Sequence, residues 1–195
     1  MKKKELDILG VLLGIIIGAF LGFFVSTRFV KEDVPVMGGE KEVGFIYLVE
    51  VSQYDNPTGA NNMIKELSLK DIYAITIEKD NYYYVYAGVY GTNEEATALK
   101  DTLINYGFNS KVSKEYILDY TNTIIDEKEK EFYDYCISCY LLNLNGETYD
   151  ISYDSVDFET NIELFQDISM LGNLKKETLI NKTRLQIYSL LRKIK

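Results

Sequence analysis

The sequence predicts an α+β protein in three parts: a membrane-spanning helix, a folded domain with the element order βαββαβ, and a helical C-terminal segment. Three observations carry this expectation. From Ile8 to Val25 an unbroken apolar and glycine run is about as long as a helix needs to cross the hydrocarbon layer. Further along, β-prone stretches around Phe45–Ser52 and Tyr82–Tyr90 alternate with amphipathic helical patterns. Beyond about Asp119, apolar residues recur mostly at helical spacing. The expected boundaries are 1–7 for a cytoplasmic N-terminus, 8–29 for the transmembrane helix, 30–43 for a linker, 44–118 for the folded domain and 119–195 for the helical region.

The first helix is read as a retained, single-pass anchor. Its apolar run is long, no Ala-x-Ala-like cleavage site follows it, and no cysteine lies nearby for lipid attachment. Lys2, Lys3 and Lys4 precede it, whereas Arg28 and Lys31 are offset by Glu32 and Asp33, so the excess of positive charge places the N-terminus in the cytoplasm and exports the rest. Gly10, Gly14, Gly18 and Gly22 fall at steps of four along one helix face, where small residues let a second helix approach closely. Helix-helix self-association is therefore an expected contact, alongside the membrane itself.

Residues 31–42 hold a proline, a Gly-Gly pair and several charges without apolar period, which suits a linker. A buried strand is predicted over Phe45 to Ser52. Asn56-Pro57 then opens a helix, since proline is tolerated in the first turn, and Ala60, Met63, Ile64 and Leu67 form its buried stripe. Ile75, Thr76 and Ile77 make a short strand, Lys79 to Asn81 a hairpin turn, and Tyr82 to Tyr90 the most strand-like segment of the chain. The Thr-x-x-Glu spacing of Thr92 and Glu95 starts a second helix, Ala96, Leu99 and Leu103 give its buried face, and Gly107 ends it in a left-handed turn. A last strand runs from about Lys111 to Tyr116. This order is that of the ferredoxin-like arrangement, in which both helices cover one face of a four-stranded sheet and leave the other face free.

In the C-terminal region, one helix is expected from Tyr120 to Leu144, ending before Asn145-Gly146. A second uses Phe158, Ile162 and Phe165 and stops near Gly172, and a third carries Ile180, Ile187, Leu191 and Ile194 on one stripe. Three such helices fit a small antiparallel bundle, a docking onto the preceding domain, or a surface for another protein.

Composition excludes several function classes. A net charge of −9, and acidic residues that outnumber lysines in a domain without arginine, leave no basic surface for phosphate backbones, so nucleic acid is not an expected partner. There is no histidine, which removes the usual general base near neutral pH and most catalytic zinc sites. No phosphate-cradling glycine pattern is present. Glu94-Glu95 is better suited to a helix start than to glycosidic cleavage. Cys136 and Cys139 form a single Cys-x-x-Cys among apolar neighbours, which suits buried small hydrophobes better than exchange or metal binding. The chain is thus expected not to be an enzyme, with no cofactor and no metal.

Side chains alternate across a strand, so if Tyr83, Val85 and Ala87 face the helices, Tyr82, Tyr84 and Tyr86 point to the free face. By the same rule Glu50 and Ser52 join them from the first strand and Thr76 from the second. Phenol rings bordered by hydroxyl, amide and carboxylate groups can lie against the apolar faces of sugar rings while hydrogen-bonding to their hydroxyls. With 17 tyrosines in the chain, the same residues also serve β-propensity alone.

Specific motifs sharpen this. The third strand ends in Ala87-Gly88-Val89-Tyr90, followed by Glu94-Glu95-Ala96, Leu99, Leu103, Gly107 and Val112, and the first strand reads Val49-Glu50-Val51-Ser52-Gln53-Tyr54. This segment, from residue 44 to 117, resembles a SPOR domain, the sporulation-related repeat that binds bacterial peptidoglycan. That family usually shows Val-Gly-Pro-Phe at the first place and Val-Gln-Val-Gly-Ser-Phe at the second, so Glu50 and Ser52 stand where glutamine and glycine are usual. The resemblance covers rather more than a third of the chain. It implies that peptidoglycan glycan strands lie on the sheet face, with Glu50, Ser52, Tyr54, Thr76, Tyr84, Tyr86 and Tyr90 as contacts. It also implies a cell-envelope protein that localises to a division or sporulation septum and meets proteins acting there. The alternative is an envelope scaffold that uses the same domain and helical tail for protein-protein contacts.

Overall fold

A four-stranded antiparallel sheet in the order β2-β3-β1-β4 organises the fold. Its strands are β1 (Phe45–Tyr54), β2 (Ile75–Lys79), β3 (Tyr82–Tyr90) and β4 (Lys111–Tyr116), with α1 (Pro57–Ser68) and α2 (Asn93–Asn105) between them. Three helices follow, α3 (Glu127–Leu144), α4 (Ile162–Leu171) and α5 (Glu177–Arg192). The computed structural model describes residues 42–151 and 162–194, all within the unit Gly38–Lys195. The expected anchor at 8–29, its glycines Gly10, Gly14, Gly18 and Gly22, and Phe158 lie outside the described residues. Among the described residues no helix is long and apolar enough to cross a membrane.

The local signals explain the elements. Asn56 caps α1 by accepting the Gly59 N–H at 2.8 Å, with Pro57 in the first turn, where its missing N–H has no intrahelical role. Asp80 and Asn81 both take positive φ, 52° and 63°, which is the two-residue hairpin turn whose twist matches that of the flanking strands. At α2 the Glu95 N–H donates to Thr92 Oγ1 at 3.3 Å, and the Thr92 hydroxyl donates back to Glu95 Oε2 at 3.1 Å. The carboxylate thus grips the capping hydroxyl itself, a variation on the expected box. Gly107, at φ 88°, closes the helix.

Two layers of apolar contact flank the sheet. On one side α1 and α2 bury Ala60, Leu67, Ala96 and Leu103 against Tyr47, Val49, Val51, Val85 and Ala87. On the other side Ile46, Leu48, Ile77, Tyr86 and Val89 share a core with Ile137, Tyr140, Ile168, Leu185, Ile187 and Tyr188 from the C-terminal helices. Each large side chain so buried contributes roughly 1.5–3 kcal/mol. The sheet is therefore covered on both faces, and the expectation of a free second face does not hold: α5 lies directly against β3 and β2.

The single helix expected over Tyr120–Leu144 is divided. Leu118–Thr121 forms a 3-10 turn, and α3 starts at Glu127, where the Asp126 carboxylate accepts the Glu129 N–H at 2.9 Å. Asp126 offers the backbone a capping bond that a continuous helix would not use, so the chain breaks there.

Candidate functional site

The predicted parity holds in β3: Tyr83, Val85 and Ala87 join the α1/α2 layer, whereas Tyr84 and Tyr86 join the opposite one. In β1 the parity changes. Val49 pairs with Gly88, Glu50 with Tyr86 and Ser52 with Val85, so Ala87 and Val51 are each an extra residue without a directly opposed partner. Such bulges rotate the chain beyond them by one side-chain step. Gln53, opposite Tyr84, takes the place on the tyrosine face that alternation assigned to Ser52.

The expected contact residues consequently divide. Glu50, Tyr84 and Tyr86 are on the tyrosine face. Ser52 and Thr76 both pair with Val85 and face the α1/α2 layer, where their hydroxyl oxygens are buried without a hydrogen-bond partner. Tyr54 also faces that layer, and its ring lies so close over Gly59 that a methyl group there would meet Cδ1 at 2.5 Å. Tyr90 packs on the same side, over Gly88. Burial pushes its phenol up to about 12, with the charge of Glu177 adding to the effect. The placement of Ser52, Tyr54, Thr76 and Tyr90 on a free face is corrected by the two bulges and by the β2 register.

Tyr86 is on the expected face but not free. It is only 8% exposed, and the Tyr188 ring of α5 meets it edge-on, 5.9 Å between centroids at 85°. Burial, then the nearby charges of Glu50 and Glu115, raises its phenol well above the ordinary tyrosine value. Tyr84 stacks on Tyr86 at 6.3 Å and 15°, half-buried at the margin of the covered zone. Tyr82 is 44% exposed. A row of rings thus runs from solvent to beneath α5.

Alternation alone did not select two groups of this face, Gln53 beside Tyr84 and Lys111 beside the buried Glu50. Gln53 is exposed beside Tyr84 and offers both amide donors and an acceptor. Lys111 pairs with Glu50 at 3.0 Å, the lysine largely in solvent and the carboxylate only 8% exposed. The signal for Lys111 lay in the β1–β4 register, where it stands opposite Glu50.

α5 is fastened to the sheet by polar bonds as well as by apolar contact. Glu115 of β4 accepts from the Tyr120 hydroxyl at 2.6 Å, the Tyr188 hydroxyl at 2.7 Å and Arg192 Nη1 at 2.9 Å. Asn181 Nδ2 donates to the carbonyl of Ala87, the bulged residue, at 2.9 Å. A carboxylate held by three donors in a poorly solvated place makes stronger hydrogen bonds than neutral partners would.

Other chemistry-bearing residues are structural. Cys136 and Cys139 are buried free thiols, and burial raises both, so neither is a ready thiolate nucleophile. Among the described residues no cluster of three carboxylate or cysteine side chains is placed to hold a metal ion. Glu94 and Glu95 sit in the first turn of α2, Glu95 engaged with its cap.

No curated protein matches the chain. Among solved structures, one titled the solution structure of the peptidoglycan binding domain of the B. subtilis cell wall lytic enzyme CwlC is similar at 22% identity and a TM-score of 0.36, the alignment covering 39% of this chain and 96% of that chain. Residues 44–113 match the family model of the SPOR domain, so the family likeness belongs to the βαββαβ segment and ends inside β4, ahead of the three C-terminal helices.

Proposed function

We propose that this is a cell-envelope protein that holds peptidoglycan glycan strands, stripped of their stem peptides, through its SPOR-type domain. Residues 8–29 anchor it in the membrane, the N-terminus is cytoplasmic, and the bulk of the chain is extracytoplasmic. Glycan binding places it at a site of wall remodelling in division or sporulation. It acts as a localiser rather than a catalyst, in keeping with a chain that lacks histidine.

One observation carries the reading. Within the segment that matches the SPOR model, Tyr82 and Tyr84 form the less covered end of the tyrosine face, with Gln53 beside Tyr84, while Glu50, paired with Lys111, is buried opposite Tyr86. Neutral, ring-and-amide surfaces of this kind suit a polyhydroxylated, N-acylated sugar chain better than a polyanion. The contacts proposed are therefore Gln53, Tyr82 and Tyr84; Glu50, expected as a contact, is buried opposite Tyr86 and paired with Lys111.

The test is retention of residues 38–195 by purified sacculi treated with amidase to remove stem peptides. Retention is expected, and Tyr82→Ala together with Tyr84→Ala should weaken it about thirtyfold, since each ring contact is worth on the order of 1 kcal/mol. No retention of the unaltered protein, or equal retention of the double variant, defeats the reading. Release of muropeptides during the incubation would defeat the non-catalytic role.

A scaffold role is favoured by a different feature. Ile124, the fully exposed Ile125, Leu190 and Ile194 line a groove of about 940 Å³ at the ends of α3, α4 and α5. Crosslinking of the full chain in mild detergent that captures an envelope protein through Ile125, combined with no retention by sacculi, would favour that role over glycan binding.

A further inference from the structure

We propose that α5 is a built-in competitor of the glycan: seated, it confines the ligand to the uncovered end of the tyrosine face, and it must lift for a strand to run along the sheet. This rests on the glycan-binding reading given above and adds regulation of that same site.

The geometry sets the competition. Tyr82, Tyr84 and Tyr86 stand at alternate positions of β3, from the 44% exposed Tyr82 to the covered Tyr86, whose stacked partner is Tyr84 and whose edge partner is Tyr188 of α5. A glycan advancing along this row meets α5 at the Tyr84–Tyr86 step. The surface that would receive the next sugar is already taken up by an aromatic ring and by the Glu115 carboxylate, which Tyr188 and Arg192 engage. Two groups cannot occupy one face, so each state of the helix excludes one length of ligand.

The fastening is suited to such an exchange. Side-chain hydrogen bonds from Asn181, Tyr188 and Arg192 tie α5 to the sheet at Ala87 and Glu115. Sugar hydroxyls can replace such donors at Glu115, and sugar ring faces can replace Tyr188 over Tyr86. The ties of α5 to α3 are separate, with Arg184 donating to Asn143 and Tyr140 to the Arg184 carbonyl. When only a fraction of molecules has the helix lifted, the apparent affinity for long strands falls by that fraction.

The experiment compares the full chain in detergent with a Tyr188→Phe, Arg192→Gln variant, which removes the Tyr188 and Arg192 bonds to Glu115 and keeps the Tyr188 ring and most of the Arg192 stem. Neither residue lies at the uncovered end. Binding of purified, peptide-free glycan strands of several disaccharides is expected to tighten about tenfold in the variant, as two hydrogen bonds that favour the closed state are lost. Hydrogen exchange supplies the second readout: in the unaltered protein, amides of residues 177–192 should lose protection when these strands bind. Equal affinity of the two proteins, with α5 equally protected in free and bound states, overturns the competition while leaving glycan binding intact. If neither protein binds the strands, the glycan reading fails and the inference fails with it. Should β1 and β3 amides show that the variant is unfolded, the exchange result on the unaltered protein decides.

Discussion

Gly91 shows how single atoms join the two halves of the chain. A methyl group at that position would come within 2.6 Å of the Leu144 carbonyl oxygen and 2.8 Å of Asn145 Oδ1, both at the C-terminal end of α3. Backbone cannot give way as a flexible side chain can, so Gly91→Ala should destabilise the protein by about 1–3 kcal/mol. Gly107 offers the contrast: its φ is 88° but no atom stands in the way, so Gly107→Ala should cost only the conformational strain, about 1 kcal/mol. Urea unfolding of the two variants measures both, and a Gly91 variant as stable as the parent would mean that α3 does not press on the domain. Alternation put Tyr84 and Tyr86 on the tyrosine face because no extra residue separates them from Tyr83 and Val85, and Glu50 with them because β1 itself carries no extra residue before Val51. It misplaced Ser52 because the extra residue Val51 has no sequence signature: valine is as good in a bulge as in a ladder.

At the scale of elements, every strand and helix of the βαββαβ segment was legible, because each carries a local device: Asn56-Pro57, Asp80-Asn81, Thr92 with Glu95, and Gly107. What local devices do not encode is which surface an amphipathic helix covers. The C-terminal stripe of Ile180, Ile187 and Leu191 was evident, yet its docking on β3 depends on groups distant in sequence, Asn181 with Ala87 and Tyr188 with Glu115. A signal was nonetheless present in β1. Ile46 and Leu48 alternate with Tyr47 and Val49, all apolar, and a strand without a polar side is one buried on both faces. The docking of α5 predicts the effect of Asn181→Ala, which leaves the Ala87 carbonyl buried at a bulge without this donor. A loss of about 1–3 kcal/mol is expected, with exchange of α5 amides accelerated more than that of α1 amides. Unchanged exchange in α5 would show that apolar contact alone holds the helix down.

For the whole molecule, one core joining Ile46, Leu48 and Tyr86 to Tyr120, Tyr140 and Tyr188 ties the sheet to the C-terminal helices, so global unfolding of the two is expected as one cooperative transition. The ionisation of its phenols tests this. Burial is the first cause raising Tyr86, Tyr120, Tyr140 and Tyr188 above the ordinary value of 10, helped by Glu115 at three of the four, and burial pushes Tyr149 up to about 12. A group whose folded value lies above its unfolded one binds its proton more tightly in the fold. Its contribution is therefore fully present below pH 10 and is lost as pH rises through the folded values. The unfolded chain releases protons there that the folded chain retains, so alkaline pH favours unfolding. Stability should thus hold from neutrality to about pH 10 as far as the tyrosines govern it, and then fall steeply. Tyrosinate absorbance and circular dichroism are followed together over this range. The buried set should then ionise in one step that coincides with the loss of both helix and strand. Helix lost at lower pH than strand, with Tyr188 and Tyr120 ionising while the sheet stands, would show instead that the C-terminal helices fold as a body of their own and only rest on the tyrosine face.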